Sequence, residues 1–383
     1  MENLPKQFES FNKARQMGFI KAKELKESGK NMVGIFCAFT PVEIIMAAGA
    51  TVVGVCGVSE EPIPAAEKVL PRNLCPLIKS SYGHAITDTC PYFYFSDLLI
   101  GETTCDGKKK MYEELAKVKP TYVMHLPNMG KGEFAFKLWK DEMIKLKSEV
   151  ESSLGVTITE NDIKEAIKDK NEERRLLKEF YELGKLNPSA LTGMELHNVL
   201  QQAGFKFDRN ELKSSIRKVI DEAKQRYEKG ECPVEKGKPR ILITGSPIGG
   251  ISEKIVKTLE DAGASVVAYE LCGGIRSNDL LVDEENDDVY EALTEKYINI
   301  GCSCMMNNDN RIELLDRLID EYEVDGVIDV VLQACHTFNI ESYRIKEFVT
   351  KEKEKPFMYI ETDYSKSDTE QLRTRFEAFI EMI

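Results

Sequence analysis

The sequence predicts an α/β protein made of two doubly wound (Rossmann- or flavodoxin-like) parallel-sheet domains joined by a helical segment. Three observations predict it. Short apolar runs alternate with helical stretches before residue 131 and again after residue 237, the rhythm of parallel strands with crossover helices. Between these blocks, over 132–230, the strand signal gives way to charged stretches with Leu and Ile at helical spacing. A length of 383 residues allows two or three domains, each with its own core. The expected division is 1–131 and 237–383 as α/β domains, with 132–236 as helical segment and linker.

The elements follow in order. Residues 6–29 read as an amphipathic helix ended by Gly29, and 31–37 (NMVGIFC) as a buried strand. Thr40-Pro41-x-Glu43 opens a helix by its N-cap, its proline at the first position and Glu43 as capping-box acid. Residues 51–56, 95–101 (FSDLLIG) and 121–126 (TYVMHL) are further strands, with a helix over 106–118. Glu, Gly, Pro and Lys over 228–238 mark the linker. Strands are then expected over 240–245, 265–270, 326–332 and 356–360.

Hydrophobic residues make up 42% and charged residues 31%, ordinary for a globular chain. Lys+Arg 52 against Asp+Glu 65 leaves −13, which argues against nucleic-acid binding, since that needs a basic surface. No run of about 18 apolar residues could cross a membrane, and no apolar signal segment opens the chain. A cytoplasmic, reducing location is therefore expected, where disulfides are disfavoured. Four histidines give a His-based metal site little to work with, whereas ten cysteines are abundant. Thiolates suit soft metals, above all iron–sulfur clusters.

The cysteines sit where doubly wound folds collect ligands, outside the carboxyl ends of strands. Cys37 ends the first strand; Cys75 and Cys90 lie in Cys-Pro turns; Cys105 immediately precedes the helix at Asp106. Cys272 follows the 265–270 strand, Cys302 and Cys304 form Gly-Cys-Ser-Cys, and Cys335 follows the 326–332 strand. A thiolate beside a helix N-terminus has a lowered pKa, and backbone N–H groups there tune a cluster's potential. Taken singly, each cysteine reads as core filler ahead of ligand. Cys56 and Cys232 are read as filler and bystander. No dense ferredoxin-type run occurs.

Other motifs are weaker. Ile243-Thr-Gly-Ser-Pro-Ile-Gly-Gly250 is a glycine-rich strand-to-helix turn but lacks the spacing of a nucleotide-binding loop. Lys108-Lys109-Lys110 reads as a solvated helix face. His336, beside Cys335, is the candidate catalytic proton donor, with a structural role equally open.

These residues together resemble the 2-hydroxyacyl-CoA dehydratase/benzoyl-CoA reductase superfamily over nearly the full length. The likeness is carried by GIFCAFTPVEIIMAAGA (34–50), NLCPLIKSSYG (73–83), TTCDGKKKMYE (103–113), YELCGGIRSND (269–279), GVIDVVLQACH (326–336) and QLRTRFEAFIEMI (371–383). Within it, the chain is similar to the dehydratase D-component-like double-cubane cluster proteins, which carry CPYFYFSDLLIGETTCDGKKKMYE almost as it stands at 90–113.

The resemblance implies that Cys75, Cys105 and Cys335 hold a four-iron cubane. It implies a second cubane, joined to the first by sulfide, held by three of Cys37, Cys90, Cys272 and Cys304, with Cys302 in reserve. It also implies a separate ATP-dependent iron–sulfur activator, a small hard-to-reduce substrate and a homodimer. Two alternatives stay open: a 2-hydroxyacyl-CoA dehydratase subunit with one [4Fe–4S] cubane, and a non-enzymatic electron carrier.

Overall fold

Parallel strands covered on both faces must be apolar almost throughout, and the central strands of this protein obey that rule. The computed structural model describes residues 14–383; the part of the expected first helix before Ala14 lies outside them. The described residues form two compact units. One is Gln16–Arg174 with Leu280–Asn310; the other is Arg175–Asp279 with Arg311–Ile383.

The N-terminal unit carries strands β1 (Met32–Ile35), β2 (Thr51–Gly54), β3 (Leu98–Glu102) and β4 (Thr121–Met124), all parallel in the order β2-β1-β3-β4. The C-terminal unit repeats this order as β6-β5-β7-β8, with β5 (Arg240–Gly245), β6 (Ser265–Glu270), β7 (Gly326–Leu332) and β8 (Phe357–Thr362). Strands β5, β6 and β7 are buried along their whole length. In each sheet the first and third strands are central neighbours. The chain winds outward in opposite directions from them, so a crevice opens at their carboxyl ends. Both expected doubly wound sheets are present.

Among the described residues, the α-helices of five residues or more are α1 (Ala14–Glu27), α2 (Val42–Ala47), α3 (Pro76–Ile86), α4 (Pro91–Phe95), α5 (Asp106–Leu115), α6 (Glu133–Leu154), α7 (Glu160–Tyr181), α8 (Gly193–Gln202), α9 (Arg209–Glu228), α10 (Val289–Ile298), α11 (Asp309–Glu321), α12 (His336–Glu347) and α13 (Thr369–Ile380). The expected strand over 95–101 starts later, at Leu98, because Phe95 closes α4. The 132–230 stretch is helical as expected, and no helix or strand spans 229–239.

Residues 280–310 read from sequence as part of the second α/β block, but they fold with the first sheet. Side chains explain why. Asn171 on α7 donates to the Val282 carbonyl at 2.7 Å and accepts from the Val282 amide at 3.1 Å. Lys140 on α6 pairs with Asp288 at 2.6 Å, beside the start of α10.

Glu43 is the deepest anchor and corrects its expected role. Helix α2 begins at Val42 with no side-chain cap, and Thr40 instead donates to Glu102. The Glu43 carboxylate is fully buried, 2.6 Å from the Arg174 guanidinium of α7, and accepts from the Tyr297 hydroxyl of α10 at 2.7 Å. Burial by itself would raise this carboxyl; Arg174 and Tyr297 outweigh it and hold the group below the usual range.

Removing one partner of such a pair strands the other charge in the core. Arg174→Met is expected to cost about 3–5 kcal/mol, and Tyr297→Phe about 1–3 kcal/mol through loss of the hydroxyl that donates to Glu43 and accepts from Arg174 and the Val42 amide. Urea unfolding of the two variants checks this; equal, small losses would refute the anchoring role.

Candidate thiol sites at the sheet edges

Four cysteines occupy the same local position. Cys75, Cys90, Cys105 and Cys335 are the N-cap residues of α3, α4, α5 and α12, and none of their thiols caps the helix. An N-cap is normally Ser, Thr, Asp or Asn, whose oxygen takes up an exposed N–H. Cysteine there sets a sulfur, and no capping oxygen, at the positive end of the helix dipole. Pro76 and Pro91 follow at the first helical position, where a missing N–H costs nothing.

The first turn of α5 packs closely on the segment that carries Cys75. A Cβ on Gly107 would stand 2.8 Å from Ile78 Cδ1 and 2.9 Å from Leu74 Cδ1. Only glycine lets the first turn of α5, behind Cys105, lie this close to the residues flanking Cys75. Cys37 follows β1 and Cys105 follows β3, so both leave the two strands that border the N-terminal crevice.

Lys108 corrects the reading of the lysine run. Lys109 is exposed and pairs with Asp106 at 2.7 Å, but Lys108 is half-buried and donates to the Phe36 carbonyl at 2.8 Å. Its ammonium faces Tyr112, Cys56 and Cys37; burial opposes the charge, and these groups outweigh burial and raise its pKa. Cys56 donates to the same Phe36 carbonyl at 3.2 Å, and burial pushes its thiol up, which fits the filler role. Glu102, closing β3, is wholly buried; desolvation lifts its carboxyl to about 7 against the Thr40 hydrogen bond and the Lys108 charge.

Cys302 and Cys304 belong to the N-terminal unit as well. Just beyond them, the Met306 amide donates to the Asn128 carbonyl at 2.8 Å, and Met306 bridges in parallel to Met129 after β4. Nearby, an open cleft of about 550 Å³ is lined by Thr103, Lys109, His125, Leu126, Met129 and Phe134, among others. Phe134 is 81% exposed on its wall, an apolar surface that a ligand could cover.

In the C-terminal unit, Cys272 follows β6 beside a buried charge network. Arg276 lies 3.6 Å from the Cys272 sulfur and binds the Glu270 carboxylate through two nitrogens, one at 2.7 Å. Arg311 reaches Glu270 at 3.1 Å, Thr244 at 2.7 Å and Glu341 at 2.6 Å. Both guanidinium groups lie over Phe338, at 5.1 and 5.0 Å from the ring centre. Burial would raise the Glu270 carboxyl, but the two arginines hold it low.

Cys335 is set by Ala334, whose φ of 57° is left-handed and costly for a residue with a Cβ. Asp88 and Asn307 adopt the same conformation close to Cys90 and Cys304. His336 is exposed at the start of α12. The glycine-rich turn after β5 has its serine occupied: Ser246 Oγ accepts from the Leu332 amide at 2.7 Å and donates to the Val330 carbonyl at 3.1 Å.

No disulfide joins any of the ten cysteines. Among the described residues, no group of three or more His, Cys, Asp or Glu side chains stands together as a metal site, and no helix is long and apolar enough to cross a membrane. The donor set nevertheless fits iron–sulfur chemistry: the residues on these edges are soft thiols, four of them at helix N-termini. Glu102 and Arg276 were missed from sequence and Lys108 was misread, because one strand or helix gives no sign of the groups that another presents to it.

Comparison with known proteins places these features in context. Residues 37–383 match the family described as 2-hydroxyglutaryl-CoA dehydratase, D-component. A putative dehydratase subunit, YjiM, of Escherichia coli is 51% identical over 381 residues, covering 100% of this chain and 99% of that protein. The (R)-phenyllactyl-CoA dehydratase beta subunit of Clostridium sporogenes is 26% identical over 94% of both chains. A benzoyl-CoA reductase subunit of Thauera aromatica is 25% identical over 75% of this chain and 70% of its own.

The Glu102 environment sets a pH dependence. The folded chain holds this proton up to about pH 7, while an ordinary glutamate loses it near 4.5. Stability should therefore fall as pH rises from about 4.5 to about 7, then level off, with a ceiling of about 3 kcal/mol. Glu102→Gln should lose Glu102's share of this slope, keep the share of Glu260, whose carboxyl burial also lifts to about 7, and be more stable than the wild type above pH 7. Thermal unfolding across that range decides it; a variant with the wild-type slope refutes the assignment.

Proposed function

Since the chain belongs to the 2-hydroxyglutaryl-CoA dehydratase D-component family, we propose that it is an iron–sulfur redox enzyme component carrying a double-cubane cluster. Electrons arrive one at a time from a separate ATP-hydrolysing iron–sulfur activator and reduce a small, hard-to-reduce substrate. Cys75, Cys105 and Cys335 hold one cubane. Cys90 and Cys304 are the first choices for the second, with Cys37 and Cys272 next.

The observation that carries this reading is the repeated N-cap cysteine, at 75, 90, 105 and 335. Four helices give up a good cap for a residue that caps poorly but binds iron well. When bound, the cluster would supply low-potential one-electron chemistry. The chain's own contribution is to hold the thiols at strand ends and helix starts, and to set fixed charges, Lys108 and Arg276, behind them. A polar turn with its serine already engaged after β5 supports leaving ATP hydrolysis to a partner. His336 is proposed as a solvent-facing proton donor. A homodimer in the cytoplasm completes the proposal.

A second reading has specific support. Relatives named as beta subunits of 2-hydroxyacyl-CoA dehydratases favour a lyase subunit with one [4Fe–4S] cubane and a distinct partner subunit. The open cleft by Phe134 suits the acyl part of such a substrate.

Iron analysis after anaerobic purification separates the readings. About eight irons per chain are expected for the double cubane, and about four would favour the dehydratase. Cys75→Ser, Cys105→Ser and Cys335→Ser should each lose iron and stability together, since bound cluster is part of the folding free energy. Cys232→Ser should lose neither; iron lost there and kept in Cys335→Ser would overturn the ligand assignment. Full iron without acetylene reduction, in the presence of activator and ATP, would indicate a carrier.

A further inference from the structure

The carboxyl end of β3 holds three polar atoms with no evident partner. Glu102 Oε2, the Tyr112 hydroxyl and Thr104 Oγ1 are all shielded from water and make no hydrogen bond. Orphaned groups of this kind are rare in a folded core and call for an explanation. They are also close in sequence to the thiols: Glu102 lies three residues before Cys105, and its partner Thr40 three after Cys37. The Thr104 amide donates to the Glu102 carbonyl at 2.7 Å, so backbone links these groups too.

The surroundings of Glu102 are mixed. The segment after β1 gives Thr40, whose hydroxyl donates to it, with Cys37 beyond. The segment after β2 gives Cys56, and α5 gives Lys108 and Tyr112. β4 places apolar Met124 beside it in register. A Cβ on Gly101 would come within 2.4 Å of the Tyr112 ring, so the ring is pressed against the strand. A bare carboxylate oxygen in such packing is poorly solvated. Desolvation lifts this carboxyl to about 7, which leaves it between its two forms at neutral pH. Lys108 keeps its charge throughout.

We propose that Glu102 is the proton store of the N-terminal thiol edge, its carboxylate binding one proton from water when one electron is added there and releasing it when the electron leaves. The electron comes from an external one-electron donor, and the carboxylate plus the proton becomes the carboxylic acid; no other bond changes. Added negative charge in a low-dielectric site disfavours a second one, which supplies the coupling. Glu102 acts through the charge of the site and is a positioning residue. The coupling rests on the iron–sulfur reading above, whereas the proton site itself does not.

The test uses the full chain, loaded anaerobically, with its midpoint potential measured from about pH 6 to about pH 9. The wild type should show a potential that falls with rising pH above about 7. Glu102→Gln should keep its iron and optical spectrum and show a flat profile. Thr40→Val removes the hydrogen bond to the ionised form, so its sloping region should begin at higher pH. A flat wild-type profile, or an unchanged slope in Glu102→Gln, overturns the proposal. A second readout needs no cluster: in the infrared difference between the cluster-free wild type and Glu102→Gln, a carboxylic-acid band should titrate near pH 7, since Glu260, whose carboxyl burial also lifts to about 7, is common to both chains and cancels. Absence of a titrating band from that difference overturns the proton site. If the band titrates but purified protein binds no iron, the iron–sulfur reading fails and the coupling with it.

Discussion

The Glu43 carboxylate, closed in by Arg174 and Tyr297, decides where a large part of this chain can lie. One buried acid joins the helix after β1, the long helix α7 and the returning helix α10. Each is from a different stretch of sequence, and none could leave without stranding a charge. Residues 280–310 are thereby held to the first sheet, with Asn171 and Lys140 adding polar links along the way. Cys302 and Cys304 ride on that segment, so the position of two thiols depends on the hydrogen bonds that the Tyr297 hydroxyl makes to a buried ion pair.

The two sheets meet the same problem with the same topology. An order of the type 2-1-3-4 places the carboxyl ends of the first and third strands at the crevice. In the N-terminal unit those ends lead to Cys37 and Cys105; in the C-terminal unit they lead to Ser246 and Cys335. Backbone geometry then fixes the thiols locally. Gly107 permits a helix start to lie against the residues around Cys75, and Ala334 accepts a left-handed φ immediately before Cys335.

Much of this was legible in the sequence. Runs such as RILITG and GVIDVVL can only be buried strands, and they are found at the residues expected. Cysteine directly before Asp106 announced a helix start, whereas the helix that begins at Pro76 was read only as a Cys-Pro turn. The errors share a cause. Glu43 has the spacing of a capping-box acid, and local spacing carries no trace of Arg174, which is distant in sequence. Lys108 looks solvated within its run because nothing local reveals the Phe36 carbonyl. The return of 280–310 to the first sheet was invisible for the same reason: contacts of long sequence separation leave no periodicity.

The buried acids differ in how completely they are paired, and that difference separates structure from chemistry. Glu270 is met by Arg276, Arg311 and Thr244, and Glu43 by Arg174 and Tyr297; both stay ionised, and both tie segments together. Glu102 receives only Thr40, keeps one oxygen bare and titrates near neutrality. A core built only for stability would pair that oxygen or replace the residue, because an unsatisfied buried group is costly. Its retention at the edge that carries Cys37 and Cys105 is understandable if the cost maintains a group able to change protonation. The paired acids hold the thiols in place, and Glu102, one oxygen bare beside them, answers to the charge that those thiols gather.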